Sequence, residues 1–426
     1  MKSLIKKIVP DFLISWYHFL VAFSGALFHG FPGKKLIVIG ITGTKGKSSV
    51  VEMVTKIFEG AVLDIISLSS IRFKIKDEIR QNDLKMTMPG RMKIQRFFKE
   101  ALSNGCKTAI LEVTSEGIEQ FRHKFIGFEV TAFLNLSPEH IESHGSFENY
   151  REAKLKLFKE NRKTHIINLD DENSKYFLEI PSEKKIGFTF EDKDFPGAEV
   201  IRGENLKLNS WGSQFKVNGV EFNLKIPGIF NTYNALSAVS IAMSQGVSLE
   251  ICKEALEKIE KIEGRMEKVI EKPFKVVVDY AHTPDSLKKA YQALKATRLI
   301  CVLGACGGGR DKWKRPEMGK IAAEYCDWII LTNEDPYEEP PRKILADIAS
   351  GIKRHSLKPV VYNFILDRRE AINKALQLAN PGDTVVITGK GCEPWMCVKG
   401  GKKIPWDDRK IVKEEFEKLQ KKEDSA

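Results

Sequence analysis

The segment "VIGITGTKGKSSVVEMV", residues 38–54, leaves this chain few choices of fold. An apolar run, Leu36 to Ile39, breaks into a loop with glycines at 40, 43 and 46, and a helix-like pattern starts at Lys47. A strand that ends in such a loop and restarts as a helix gathers backbone N–H groups at the helix N-terminus, where they form an anion cradle. The cradle comprises Gly43, Thr44, Gly46, Lys47, Ser48 and Ser49. Lys47 suits the β- and γ-phosphates of a nucleotide, and the Ser48 hydroxyl suits Mg2+. The common spelling of the motif asks for glycine where Ile41 stands, so the loop is a variant. Its strand-before, helix-after context favours triphosphate binding over a plain glycine-rich turn.

Strand–loop–helix units belong to α/β sheets, and the rest of the chain repeats the alternation. Strands are read at Leu36–Ile39, Thr108–Val113, Val130–Leu134 and His165–Asn168. Helices are read at Lys47–Phe58, Gly90–Asn104, Tyr150–Glu160 and Tyr233–Gly246. Residues 184–226 are short β-rich pieces with a hairpin signal at Asn218-Gly219. A second series follows Gly264-Arg265, with strands at Lys275–Val278, Leu299–Leu303, Trp328–Leu331, Val360–Tyr362 and Thr384–Thr388. The fold expected is α/β: a helical leader (1–33), a central P-loop-type ATPase domain with a parallel sheet (34–262), and a C-terminal Rossmann-like doubly wound domain (263–426). The charged stretch from Lys410 to Ala426 reads as a helix that frays into solvent.

Phe12 to Phe31 carries no formal charge and lies between Lys2, Lys6, Lys7 and Lys34, Lys35. That length is near the lower limit for a membrane span. Ser15, His18, Ser24, His29 and two glycines dilute it, and a strand begins at Leu36. A helix docked on protein, or lying at a membrane surface, fits better than a span. The net charge of +11 suits anionic small substrates. With no arginine-rich run and no aromatic–basic module, nucleic acid is not expected as a partner. Seven cysteines without CxxC spacing read as free thiols, which with no secretory cleavage pattern suits a cytoplasmic enzyme. A monomer is expected.

"GITGTKGKSS" resembles the signature TGTxGK[ST][ST] of the Mur ligase family. Further strings follow in family order and resemble its tripeptide-synthetase branch: "LEVTSEGIEQFR", "NLSPEHIESHGSFENYREAKLKLF", "GIFNTYNALSAVSIA", "GRMEKV", "VDYAHTPDSLKKAYQAL", "GGGRDKWKRPEMGKIA", "TNEDPYEEPP" and "GKGCE…DDR". The resemblance implies an ATP- and Mg2+-dependent amide ligase in peptidoglycan precursor synthesis. Such an enzyme phosphorylates a muramoyl-dipeptide carboxylate, and the amine of a free amino acid then displaces the phosphate. It implies catalytic roles for Lys47, His140, Lys154 and Arg265. Ser48 would hold one Mg2+. Glu112, His140 and a carbamylated Lys154 would hold a second. Asn234 would meet the adenine, Asp279 the ribose and Arg265 the γ-phosphate, with His282 in the same loop as Asp279. Thr87, Ser115 and Arg122 match muramoyl-peptide contacts, and Glu334, Asp335, Tyr337, Gly389 and Glu393 match the amino-acid pocket. A hinge near 262–264 is implied. Taken alone, Lys154 would read as a solvated helix lysine, and His140 and His144 as loop histidines.

The sequence departs from the family pattern in ways that bear on substrates. Little chain precedes the P-loop where the family carries a domain that grips uridine diphosphate, so a lipid-linked or shorter muramoyl acceptor is an expectation. Met88 and Glu116 replace a threonine and a histidine. Glu334-Asp335-Pro336-Tyr337 stands where diaminopimelate-adding members carry DNPR. Tyrosine cannot pair with a distal carboxylate, and Glu334, Asp335 and Glu393 suggest an acidic pocket suited to lysine or ornithine. Rival readings are a folylpolyglutamate- or cyanophycin-type ligase, a non-catalytic scaffold of wall synthesis, and, more weakly, a nucleic-acid motor.

Overall fold

The computed structural model describes residues 10–84, 86–209, 212–294, 298–355 and 361–423. Lys2, Lys6, Lys7, Val360 and the last three residues of the chain lie outside them.

The first sheet is built around β1 (Ile37–Thr42), buried at every position after Ile37. Its partners are β2 (Ile65–Leu68), β3 (Arg72–Ile75), β4 (Glu78–Gln81), β5 (Thr108–Glu112), β6 (Phe128–Phe133), β7 (Thr164–Asn168), β8 (Lys184–Thr189), β9 (Glu199–Asn209), β10 (Gly212–Val217) and β11 (Val220–Leu224). The order is β11-β10-β9-β8-β7-β6-β1-β5-β2-β3-β4. The run from β9 to β2 is parallel. Antiparallel pairs extend it at both ends. The expected parallel sheet is therefore corrected to a mixed one. β2 to β4 escaped the sequence reading because they are short, and β3 and β4 alternate with Arg72, Lys74, Glu78 and Arg80. The Asn218-Gly219 hairpin is present, with both residues at positive φ (46° and 82°).

The second sheet contains β12 (Glu267–Ile270), β13 (Lys275–Val278), β14 (Leu299–Leu303), β15 (Trp328–Leu331), β16 (Val361–Phe364) and β17 (Thr384–Ile387). Its order is β12-β13-β17-β14-β15-β16, with only β12 antiparallel. Each sheet carries an apolar layer on both faces. Ligand-binding loops of such sheets lie beyond the carboxyl ends of the parallel strands. Those ends carry Gly43 after β1, Asp279 after β13, Glu334 after β15 and Gly389 after β17.

The leader forms α1 (Asp11–Phe28). It docks on α3 (Arg91–Ser103), which follows α2 (Lys47–Gly60), the helix behind the P-loop. Ala22 and Ala26 are buried, and a Cβ on Gly25 would lie 3.4 Å from the Met92 Cα, so small residues set the close approach. Phe19 and Phe23 edge the Phe125 ring at 5.4 and 5.5 Å. Among the described residues no helix is long and apolar enough to cross a membrane.

The C-terminal helix, Asp408–Glu423, is docked rather than frayed. Its charge hid a stripe of Ile411, Val412 and Phe416, which packs on the second sheet. Its first residue pairs with a fully buried arginine: Asp408 Oδ2 lies 2.7 Å from Arg368 Nη2, and neither side chain is exposed. Arg368 also donates to the carbonyls of Thr388 (2.8 Å) and Asn333 (3.3 Å), the two loops that carry Gly389 and Glu334. Removing Asp408 would strand a buried guanidinium, which costs about 3–5 kcal/mol. Asp408→Ala is therefore expected to lower the urea midpoint by that equivalent, far more than Lys410→Ala on the exposed side of the same helix. Equal midpoints for the two variants would refute the anchoring role.

Candidate active site

Gly46 turns the phosphate loop with φ of 85°, and a Cβ there would lie 2.3 Å from Asn234 Oδ1. Only glycine fits both constraints. Lys47 Nζ folds back on the loop and donates to the carbonyls of Gly43 (3.0 Å) and Thr44 (2.9 Å). Ser48 Oγ donates to Glu112 Oε2 at 2.9 Å, and the same oxygen accepts from Ser70 N (2.9 Å) and Ser70 Oγ (3.1 Å). Ser70 Oγ then lies 2.8 Å from Thr87 Oγ1. A continuous polar chain thus runs from the predicted metal residue to the predicted acceptor wall. Ser49 is buried behind the loop, and Thr44 Oγ1 meets the Tyr150 hydroxyl at 3.1 Å. Hard oxygen donors from Ser48 and Glu112, beside a backbone cradle, fit Mg2+ held together with phosphate. Among the described residues no three His, Cys, Asp or Glu side chains converge as a self-sufficient metal site. A metal here would complete its shell with oxygens from phosphate, water or the backbone.

Lys154 is not a solvated helix lysine. It lies on the helix Phe147–Glu160 and is 1% exposed. Its Nζ donates to the Gly43 carbonyl at 2.9 Å and lies 4.7 Å from the Tyr150 ring centre. Burial, and then the charge on Lys47, drive its pKa well below the ordinary lysine value. His140 takes the left-handed conformation (φ 59°), and burial lowers its imidazole to about 4. His144 Nε2 is 3.1 Å from Ser115 Oγ, on the acceptor side. Arg122 donates to the Met88 carbonyl at 2.5 Å and to Gln120 Oε1 at 2.7 Å.

The second domain closes over this floor. Arg265 lies over the Tyr280 ring, 4.3 Å from its centre. The preceding Gly264 has φ of 61°, and a Cβ there would lie 2.2 Å from Cys392 N. Asp279 accepts from the backbone N–H groups of Met266 and Ala281, both at 2.7 Å. Glu139, which sequence reasoning missed, joins the domains. Its Oε1 is 2.9 Å from Lys45 Nζ in the phosphate loop and 3.3 Å from His282 Nε2. The only signal was its place beside His140. Asp311 and Glu142 add a second junction through the Glu142 N–H (3.0 Å) and the Lys312 N–H (2.8 Å). Between the domains lies a cleft of about 780 Å³. Every predicted site residue lines it except Gly43 and Lys154, which stand behind the loop.

The sequence matches the Mur ligase middle domain over residues 41–242 and the Mur ligase glutamate ligase domain over residues 264–391. It is 39% identical over 395 residues to a UDP-N-acetylmuramoyl-L-alanyl-D-glutamate–2,6-diaminopimelate ligase of Caldanaerobacter subterraneus, covering 91% of this chain and 79% of that one. The chain belongs to the Mur ligase family. It is 32% identical to a UDP-N-acetylmuramyl-tripeptide synthetase of a Roseiflexus species, covering 90% and 79%. A solved diaminopimelate ligase superposes with a TM-score of 0.62 at 27% identity, covering 90% of this chain and 79% of that one. A Mycobacterium tuberculosis folylpolyglutamate synthase shares the fold at 0.70 and 17% identity, covering 87% and 91%.

In this Mur ligase the amino-acid end of the cleft differs from the acidic pocket expected. Lys390, fully buried, lies 3.0 Å from Asp335 Oδ1 and also contacts Glu393. Asp335 further accepts from Cys397 N at 2.7 Å, and Glu393 from the Tyr280 hydroxyl at 2.9 Å. One buried ammonium thus serves two of the three carboxylates. From sequence, Lys390 is one of three cations, with Arg342 and Arg409, that could reach this loop. Tyr337 has φ of 50°, and its ring packs on Gly308, where a Cβ would come within 2.6 Å of it. Arg310 lines the same wall, near Tyr337 and Cys306. Glu334 is the remaining carboxyl. It is buried, its Oε2 has no hydrogen-bond partner, and it stands against Gly389. Burial, then the charge on Asp335, raises it to about 7.

A carboxyl raised from 4.5 to about 7 contributes stability that is complete below its unfolded value and is lost as pH rises through 7. Replacing it with an amide removes that dependence. The unfolding free energy of Glu334→Gln, relative to wild type, is expected to rise by an amount of order 3 kcal/mol between pH 4.5 and pH 8. Parallel pH profiles of the two urea midpoints would refute the shifted carboxyl.

Proposed function

We propose that the protein joins the amine of a diamino acid to the D-glutamate carboxylate of UDP-N-acetylmuramoyl-L-alanyl-D-glutamate, with ATP as the energy source. The observation that carries this reading is one interdomain cleft that holds a phosphate loop, an opposed arginine and the Ser70–Thr87 acceptor wall. The relatives' names supply the acceptor. The folylpolyglutamate likeness, at 17% identity, speaks for the fold alone.

The acceptor carboxylate oxygen attacks the γ-phosphorus of ATP, and ADP leaves. The resulting acyl phosphate is attacked at carbon by the amine, which loses a proton as phosphate departs. Both steps build negative charge on phosphoryl oxygens, and preorganised cations lower that barrier. Lys47 supplies one from the floor and Arg265 one from the closing domain. Ser48 and Glu112 would hold Mg2+, which would neutralise phosphate charge there. Asn234 faces the adenine and Asp279 the ribose, near His282. Thr87, Ser115 and Arg122 hold the muramoyl peptide. Glu112, His140 and a carbamate on Lys154 would hold a second Mg2+. That reading is supported by the buried, deprotonated-leaning amine, since only a neutral amine adds to CO2. His140, neutral at pH 7, has the form that ligates a metal.

The added amino acid is a diamino acid with meso-diaminopimelate ahead of lysine, which reverses the expectation from sequence. That expectation required a pocket without a cation, whereas Arg310 lines this wall. Glu334, Asp335, Tyr337, Gly389 and Glu393 shape the remainder.

The test incubates the protein with ATP, Mg2+ and the UDP-linked dipeptide, then compares L-lysine, L-ornithine and meso-diaminopimelate by phosphate release and product mass. Diaminopimelate is expected to give the highest kcat/KM, and Arg310→Met to raise its KM by about tenfold or more. Preference for lysine would overturn the substrate, and no product with any of the three would overturn the reaction. Lys47→Ala is expected to lower kcat by about 10²–10³. Lys154→Ala should lose most turnover and recover part of it with short carboxylates, while a fully active Lys154→Arg would exclude the carbamate.

A further inference from the structure

α1 hides only one of its faces. Ala22, Gly25 and Ala26 pack inward, whereas Leu13, Trp16, Tyr17, Leu20, Leu27 and Phe28 form an outward stripe at helical spacing. Trp16 and Tyr17 are 62% and 60% exposed, and Phe28 is 76% exposed. This much contiguous aromatic and aliphatic surface marks an interaction face. The charges around it identify the partner. Lys34 lies over the Phe31 ring (5.0 Å), and Lys124 over Phe121 (6.0 Å), both rings belonging to the cluster that α1 docks on. Arg96 and Lys99 of α3 are exposed beside the helix C-terminus, close enough that their charges, after burial, lower the His29 imidazole. Lys35 is exposed next to Lys34.

We infer that α1 lies flat in the headgroup layer of an anionic bilayer, with its apolar stripe inserted and the surrounding lysines and arginines on lipid phosphates. An apolar helix face rimmed by cations, with Trp and Tyr on the stripe, matches a bilayer interface on both counts. A second copy of this chain would bring the same cations face to face. α1 cannot span, because its other side is committed to α3 and the Phe125 cluster. The helix also adjoins the acceptor wall. Arg91 contacts His18 and donates to the Gln120 carbonyl at 2.8 Å, and Gln120 Oε1 accepts from Arg122. Docking therefore holds the acceptor side of the cleft near the lipid surface.

The test sediments the full-length protein with vesicles of phosphatidylcholine, alone or mixed equally with phosphatidylglycerol. Binding to the mixed vesicles is expected to be about tenfold tighter or more, and to weaken with salt. Trp16→Glu/Leu20→Glu and Lys34→Glu/Lys35→Glu should each reduce it about tenfold, with thermal melts and turnover of the soluble acceptor unchanged. No retention on anionic vesicles overturns the proposal, as does retention that both double variants leave intact. A concentration-dependent dimer abolished by Trp16→Glu/Leu20→Glu would assign the face to a second copy and overturn it as well.

Discussion

The cleft depends on one buried carboxylate. Glu139 lies under the junction of the two domains, and burial alone would favour its protonated form. The Lys45 ammonium and His282 hold it well below the usual carboxylate range instead. His282 donates Nδ1–H to the Tyr280 carbonyl at 2.6 Å and turns Nε2 towards Lys45 Nζ at 3.5 Å. Burial and the Lys45 charge lower that imidazole to about 4, so it serves as a neutral ring and Lys45 supplies the proton to both partners. A phosphate-loop lysine is thereby tied to the loop after β13, and the nucleotide-facing residues of two separately folded sheets acquire a common frame.

From that frame, polar contacts run in two directions. Towards the proposed acceptor side, Ser48, Glu112, Ser70 and Thr87 share protons in sequence, so the proposed metal residue is linked to the proposed acceptor wall. Towards the amino acid, Arg368 grips the carbonyls of Asn333 and Thr388, and Lys390 spans Asp335 and Glu393. Both are fully buried cations, and each has a carboxylate partner. This is the condition under which buried ion pairs fix a geometry rather than destabilise it.

The nucleotide half was legible because its signals are local. Gly46 needs positive φ, Lys47 and Ser48 follow at fixed spacing, and β1 and α2 flank them with clear apolar patterns. The amino-acid half was not legible in the same way. A count of Glu334, Asp335 and Glu393 gives acidity, yet it does not show that Lys390, in the loop after β17 and some fifty residues away in sequence, pairs with Asp335. Pairing across a parallel sheet is a long-range property that no window of sequence contains. The C-terminal helix misled for the converse reason. Its charges are local and conspicuous, while Asp408, the residue that anchors it, is indistinguishable in sequence from its exposed neighbours.

Two lysines share one acceptor in the floor of the cleft. The Gly43 carbonyl receives Lys47 Nζ at 3.0 Å and Lys154 Nζ at 2.9 Å. Two buried ammonium groups on one carbonyl would repel, and the nearest carboxylate oxygen, Glu112 Oε1, lies 3.9 Å from Lys47. The arrangement is stable when one lysine is neutral, and complete burial selects Lys154 for that form over Lys47, which borders the cleft. The strand, the phosphate loop and the helix Phe147–Glu160 therefore meet at a single backbone oxygen.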